Sequence, residues 1–219
     1  MCPQKPGPKD APNMRRYLRV LPLLALSLIG GCDDEVEYQD ADGNLLGEAL
    51  DDERALDDLT SAPHPAAAGY CDDVADVLWN SAWRTLETQV LTEINKRRAA
   101  GATCGGVVKP PAAALTLNTK LRCAARKHSQ DMVVHNFFSH TGSNGWTPWQ
   151  RIQAAGYVYT NAAENIAAGQ STALAVVNGW MGSTGHCNNI MDGVLKEVGV
   201  GYYPGGTYGH YWTQDFGKS

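Results

Sequence analysis

The chain has no apolar stretch long enough to cross a membrane as a helix. Its apolar run from Val20 to Ile29 covers about ten residues, against the ~20 that a ~30 Å hydrocarbon core demands. It has no Cys-x-x-Cys spacing among its six cysteines, which argues against the common structural zinc clusters. It also lacks an excess of positive charge. The formal net charge is −5, and residues 61–219 hold twelve Lys/Arg against ten Asp/Glu. That balance gives no electrostatic footing for nucleic acid.

The short apolar run has its own meaning. Arg15, Arg16 and Arg19 precede it, and Gly30, Gly31 and Cys32 follow it, the order of an export signal. "IGGC" resembles a bacterial lipobox, so Cys32 is expected to become a lipid-bearing N-terminus. Acyl chains contribute ~0.8 kcal/mol per buried CH₂, and stable anchoring takes more than one chain. The segment 1–13, "MCPQKPGPKDAPN", has no periodicity and reads as a dispensable leader ahead of a start at Met14. Between Asp33 and Thr60 stand twelve acidic residues and one basic, Arg54. Such self-repelling, apolar-poor sequence is expected to be disordered. The expected organisation is leader 1–13, signal 14–32, acidic linker 33–69 and one domain over 70–219.

That domain contains Cys71, Cys104, Cys123 and Cys187. In an exported chain an even number of cysteines implies disulfides, and four allow three connectivities. Apolar residues at three- and four-residue intervals predict one long helix or two over Asp72–Ala100 and another over Leu115–His135, capped by Asn118 or Thr116. Between them "GATCGGVVKPPAAA" reads as a loop stiffened by Pro110 and Pro111. Shorter helices are expected over Thr147–Ala155, Thr172–Met181 and Asn188–Asp192. The period then shifts to that of strands at Lys196–Tyr203 and His210–Gly217, joined by "PGGTYG" as a hairpin. A further strand is expected around Tyr157–Glu164. Helices followed by an antiparallel hairpin imply an α+β fold.

Two polar residues stand out. His140 follows Phe137, Phe138 and Ser139 at a helix-to-loop junction, a place from which a side chain can reach a ligand. Glu164, in "AENIAAG", is a lone acid among small and apolar residues, and burying it requires a partner. His128 and His135 read as structural, hydrogen-bonded on or near their helix. The aromatic residues Trp146, Trp149, Tyr157, Tyr159, Tyr202 and Tyr203 are candidates for core or for a ligand groove.

The blocks "HSQDM", "FFSHTGSNGWTPWQRIQAAGY", "AENIAAG", "GWMGSTGHCNNIM", "EVGVGYY" and "YWTQDFG" occur in the order of one family. Over about Val90–Gly217 the chain resembles the bacterial branch of the CAP superfamily, the cysteine-rich secretory, antigen 5 and pathogenesis-related 1 proteins. The resemblance implies a three-layer α-β-α sandwich with a small antiparallel sheet, an extracytoplasmic place and a cleft. In the broader family two histidines and two glutamates in that cleft can hold a divalent metal. Carried over, the first histidine is His140 and the first glutamate is Glu164. The second glutamate falls on Ser183 and the second histidine on Tyr211, both departures. Bacterial members show "W-x-x-S-x-x-H" instead, which brings in His186. His210, one place from the family position, is expected to face away by strand alternation.

The metal candidates are thus His140, Glu164 and His186, for zinc or calcium. The hydrolytic alternative uses Ser183 as nucleophile, His186 or His140 as base and Glu164 as orienter, although Ser183 lacks a G-x-S-x-G setting. The leading expectation is non-catalytic binding of a lipid, glycan or protein partner at the cell envelope by a monomer. A structural envelope protein is the third. Cys104 and Cys123 are expected to pair, closing ~20 residues for about 3 kcal/mol, which leaves Cys71 to pair with Cys187.

Overall fold

The computed structural model describes residues 69–219. The expected leader, the signal, all but the last residue of the acidic linker and the lipid site at Cys32 lie outside them.

Helix α1 (Ser81–Ala100) begins where the Asn80 side chain accepts from the backbone N–H groups of Ala82 and Trp83, satisfying donors that a helix start leaves unpaired. One long helix or two were expected over Asp72–Ala100, and the α-helix covers only the second part of that range. Asp72–Val74 form a single 3-10 turn, and the chain re-enters a helix at Ser81. Two-residue loop chemistry shapes the next segment. Strands β1 (Ala102–Cys104) and β2 (Val107–Lys109) pair antiparallel across Gly105 and Gly106, which sit at φ 54° and 82°. A primed turn needs positive φ at both central residues, so the Gly-Gly pair makes a hairpin where a plain loop was expected.

Strand β3 (Thr116–Leu117) precedes α2 (Thr119–Val134), capped by Asn118 through Lys120 and Leu121. Leu117 is exposed in β3. Helix α3 (Pro148–Ala154) starts with a capping box between Thr147 and Gln150 and with Pro148 in its first turn. Strand β4 (Asn161–Ala168) begins later than expected, and α4 (Ala173–Gly182) and α5 (Thr184–Met191) follow. Strands β5 (Glu197–Gly205) and β6 (Gly209–Lys218) form the expected hairpin.

The main sheet has the order β3-β5-β6-β4, antiparallel except for β3 beside β5. Side chains alternate across it. Val198, Val200, Tyr202, Trp212 and Phe216 join Val90 and Ile94 of α1 and Val176, Val177 and Trp180 of α4 in one core. On the other face α2 and α3 supply Leu121, Ala124, Trp149 and Ile152, together with Ala162 of β4. Ile166 and Tyr211 meet Met132 beyond them. This is the expected α+β fold, with helices on both faces of the sheet.

The α2 layer lies close against β5. A Cβ at Gly199 would stand 2.0 Å from the Arg122 nitrogen, and one at Gly201 would stand 2.3 Å from the Ala125 carbonyl carbon. A buried ion pair ties α2 to α1. Arg126 reaches Glu87 at 2.6 Å, and Trp79 Nε1 donates to the same carboxylate at 2.9 Å.

Both disulfides form, with a connectivity other than the expected one. Cys71 pairs with Cys123 and Cys104 with Cys187, across 52 and 83 residues. The physical reason is tertiary. The β1–β2 turn packs on the start of α5, where a Cβ at Gly105 would meet Thr184 Oγ1 at 2.5 Å, so Cys104 comes to rest beside Cys187.

Candidate functional site

His140 sits in the loop between α2 and α3, and three sets of bonds hold that loop. His128 Nε2 lies 2.8 Å from the Ser139 carbonyl, which only accepts, so Nε2 carries the proton and donates. Arg151 Nη2 donates to the His140 carbonyl at 2.9 Å, and Nη1 donates to that of Trp146 at 2.9 Å. Ser143 donates twice to Asp131 of α2, from its backbone N at 2.9 Å and its Oγ at 2.6 Å. The structural role expected for His128 is what the geometry shows. Burial, followed by the nearby Arg151 charge, lowers its pKa from 6.5 to about 4. His135, also expected to be structural, has Nδ1 2.7 Å from Asp131.

Glu164 lies on β4 facing α2 and α3. Its side chain is 1 % exposed, and Oε1 is 2.7 Å from His140 Nδ1, on a ring 20 % exposed. Oε2 accepts from Arg151 Nη2 at 2.7 Å. Burial alone would raise this carboxyl. The charge of Arg151, with His128 and His140, outweighs burial and holds it well below the usual carboxylate range. Two of the sequence candidates, His140 and Glu164, are therefore in direct contact.

Sequence reasoning missed two residues of this cluster. Arg151 is on the buried face of α3 at 4 % exposure. Asp215 stands opposite Glu164 in the β4–β6 register; it is fully buried, and neither carboxyl oxygen has a hydrogen-bond partner. Burial first, and the Glu164 charge second, push its carboxyl well above the ordinary range. A signal for each was available. Asp215 is a lone acid in an aromatic and β-branched strand, the pattern that singled out Glu164, and Arg151 is a lone charge on an apolar helix stripe.

His186 and Ser183 are placed differently. Helix α5 docks on β4 through Asn165, whose side chain leaves the face opposite Glu164. Asn165 Nδ2 donates to the His186 carbonyl at 3.3 Å, and Asn189 Nδ2 donates to Asn165 Oδ1 at 2.9 Å. Ser183 is the junction between α4 and α5, with no side-chain cap bond. His210 faces away from Glu164 as expected, its Nδ1 2.7 Å from the Tyr202 hydroxyl, while Tyr211 is buried beside Ile166. Of the aromatic candidates, Trp149, Tyr157 and Tyr202 are core, whereas Trp146, Tyr159 and Tyr203 are half-buried.

The expected metal set of His140, Glu164 and His186 does not assemble. Among the described residues no three His, Cys, Asp or Glu side chains are placed to share one ion. Both Glu164 oxygens are already committed, one of them to a guanidinium that would repel a second cation. The donors present do not fit zinc or calcium.

Residues 91–216 match the model of the cysteine-rich secretory protein family, CAP. The chain belongs to that family. Among its CAP relatives is the uncharacterized protein YkwD of Bacillus subtilis, 39% identical over 102 residues, 47% of this chain and 38% of the relative. Another is the uncharacterized membrane protein YlbC of the same bacterium, 30% identical over 145 residues, 66% of this chain and 38% of the relative. The matches thus span well under half the length of either relative.

An extracellular SCP-domain protein of Bacillus anthracis superposes with a TM-score of 0.56 at 25% identity, over 66% of this chain and 44% of that one. An outer surface protein of Borrelia burgdorferi shares the fold with a TM-score of 0.51 at 21% identity, over 60% of this chain and 90% of that one. These CAP neighbours are extracellular or surface proteins. Among the described residues no helix is long and apolar enough to cross a membrane.

Proposed function

We propose that this CAP-family chain is an exported protein, anchored by lipid on Cys32, whose domain binds a ligand at the cell envelope through His140. One observation carries the reading. A fully buried carboxylate, Glu164, takes His140 Nδ1 at 2.7 Å, which leaves Nε2 of a partly exposed ring for whatever arrives from outside. Orienting an imidazole by a buried acid in this way prepares one polar contact point at low entropic cost. The ligand classes to test are lipid, glycan and protein partner.

His140 ring resonances followed by NMR, while vesicles, soluble glycans and envelope protein fractions are added in turn, test the binding. At least one class is expected to move them, with the response lost in Glu164→Gln. Silence to all three would remove the reading. The anchor is tested separately, since Cys32→Ala should shift the protein from the membrane to the soluble fraction.

A further inference from the structure

A divalent ion on oxygen donors gathers carboxylates and carbonyls from several segments. Here a side chain has gathered them instead. Arg151 Nη2 reaches Glu164 Oε2 of β4 at 2.7 Å and the His140 carbonyl at 2.9 Å, and Nη1 reaches the Trp146 carbonyl at 2.9 Å. The guanidinium cannot be deprotonated in a protein, so the site has a permanent cation at its centre. The charge balance is one to one. Glu164 is the carboxylate that faces Arg151, and the second acid, Asp215, has no donor at either oxygen.

We propose that Arg151 takes the place of a divalent ion at this site and, by holding Glu164 as the anion, fixes the proton of neutral His140 on Nδ1, so that Nε2 accepts from a hydroxyl of a neutral glycan bound without metal. An ionised carboxylate only accepts, so the neighbouring imidazole nitrogen must donate. In the neutral ring the other nitrogen is then an acceptor, which suits a hydroxyl and disfavours a phosphate or carboxylate. The same loop carries two half-buried aromatic residues, Phe138 and Trp146. The glycan assignment rests on the reading that His140 is the contact point; the role of Arg151 does not.

The test uses the folded protein at mildly alkaline pH. Nitrogen-15 NMR of His140 is expected to show the Nδ1–H tautomer, and millimolar Zn²⁺ or Ca²⁺ to leave both those signals and the melting temperature unchanged. An Nε2–H tautomer, or a metal-induced rise in melting temperature with displaced His140 signals, overturns the proposal. Arg151→Met removes the cation at similar length and should melt lower and acquire a Zn²⁺-dependent rise. Arg151→Lys keeps the charge and should stay indifferent to Zn²⁺, which preserves the comparison if the Met variant does not fold.

For the ligand, a tetramer of N-acetylglucosamine should move the His140 signals and phosphatidylglycerol vesicles should not. A response to the vesicles alone, or to neither probe, overturns the glycan assignment. The broader reading of a binding site falls only if the wider panel of ligand classes is silent as well.

Discussion

Acidification should cost this domain about 3 kcal/mol at His128 alone, on the conversion of about 1.4 kcal/mol for each unit of pKa shift. The ring is fully buried, and its pKa falls from the ordinary 6.5 to about 4. The folded value lies below the unfolded one, so the unfolded chain takes up the proton first. Stability is then lost as the pH drops through 6.5, and the loss levels off below about 4.

The control is His128→Gln, whose amide N–H can still donate to the Ser139 carbonyl but does not titrate. Urea unfolding followed by tryptophan fluorescence, at several pH values from about 7 to 4, gives the stability difference between the two proteins. Wild type is expected to lead near neutrality, and its lead should shrink or reverse toward the acid end. A difference that stays constant across the series would refute the reasoning, because it would mean that His128 titrates alike in the folded and unfolded states. Since the His128 bond ends on Ser139, next to His140, the same series should show the His140 loop loosening as the ring charges.

Asp215→Asn should show the opposite slope. The Asp215 carboxyl is raised in the fold, so its favourable contribution is present below the unfolded pKa of about 3.9 and is lost as the pH rises toward the folded value. The Asn variant should therefore gain on wild type by about 1.4 kcal/mol per pH unit above that point, and thermal melts at several pH values check it. Gly201→Ala should destabilise by about 3 kcal/mol or more, through the close approach of α2 to β5 at 2.3 Å, measurable by denaturant unfolding. Replacing both Cys104 and Cys187 by Ser, which opens an 83-residue closure, should cost about 4.5 kcal/mol on the chain-entropy argument. A melt unchanged from wild type would contradict it. Glu164→Leu leaves the buried Arg151 without its anion and should cost about 3–5 kcal/mol, seen as a lower urea midpoint.

The amino-acid order by itself determined what is local or periodic. The stripe of α2, a cap at Asn118 or Thr116, and the β5–β6 hairpin all follow from spacing and turn chemistry, because side-chain direction repeats with the backbone. The helix-to-loop junction marked His140, and the lone position of Glu164 marked it, since an isolated acid in apolar sequence needs a partner. What the partner is, only the tertiary structure decided. Arg151 reaches Glu164 across 13 residues and Asp215 faces it across the β4–β6 register, contacts set by how α3 and two strands pack. The disulfides make the same point. Sequence distance favours Cys104 with Cys123, but loop length changes closure entropy only logarithmically, and packing of the Gly105 turn on Thr184 outweighs it. The same holds for the metal candidates: His140 and Glu164 were legible in the chain, but the guanidinium that bridges the His140 carbonyl and Glu164 comes from α3.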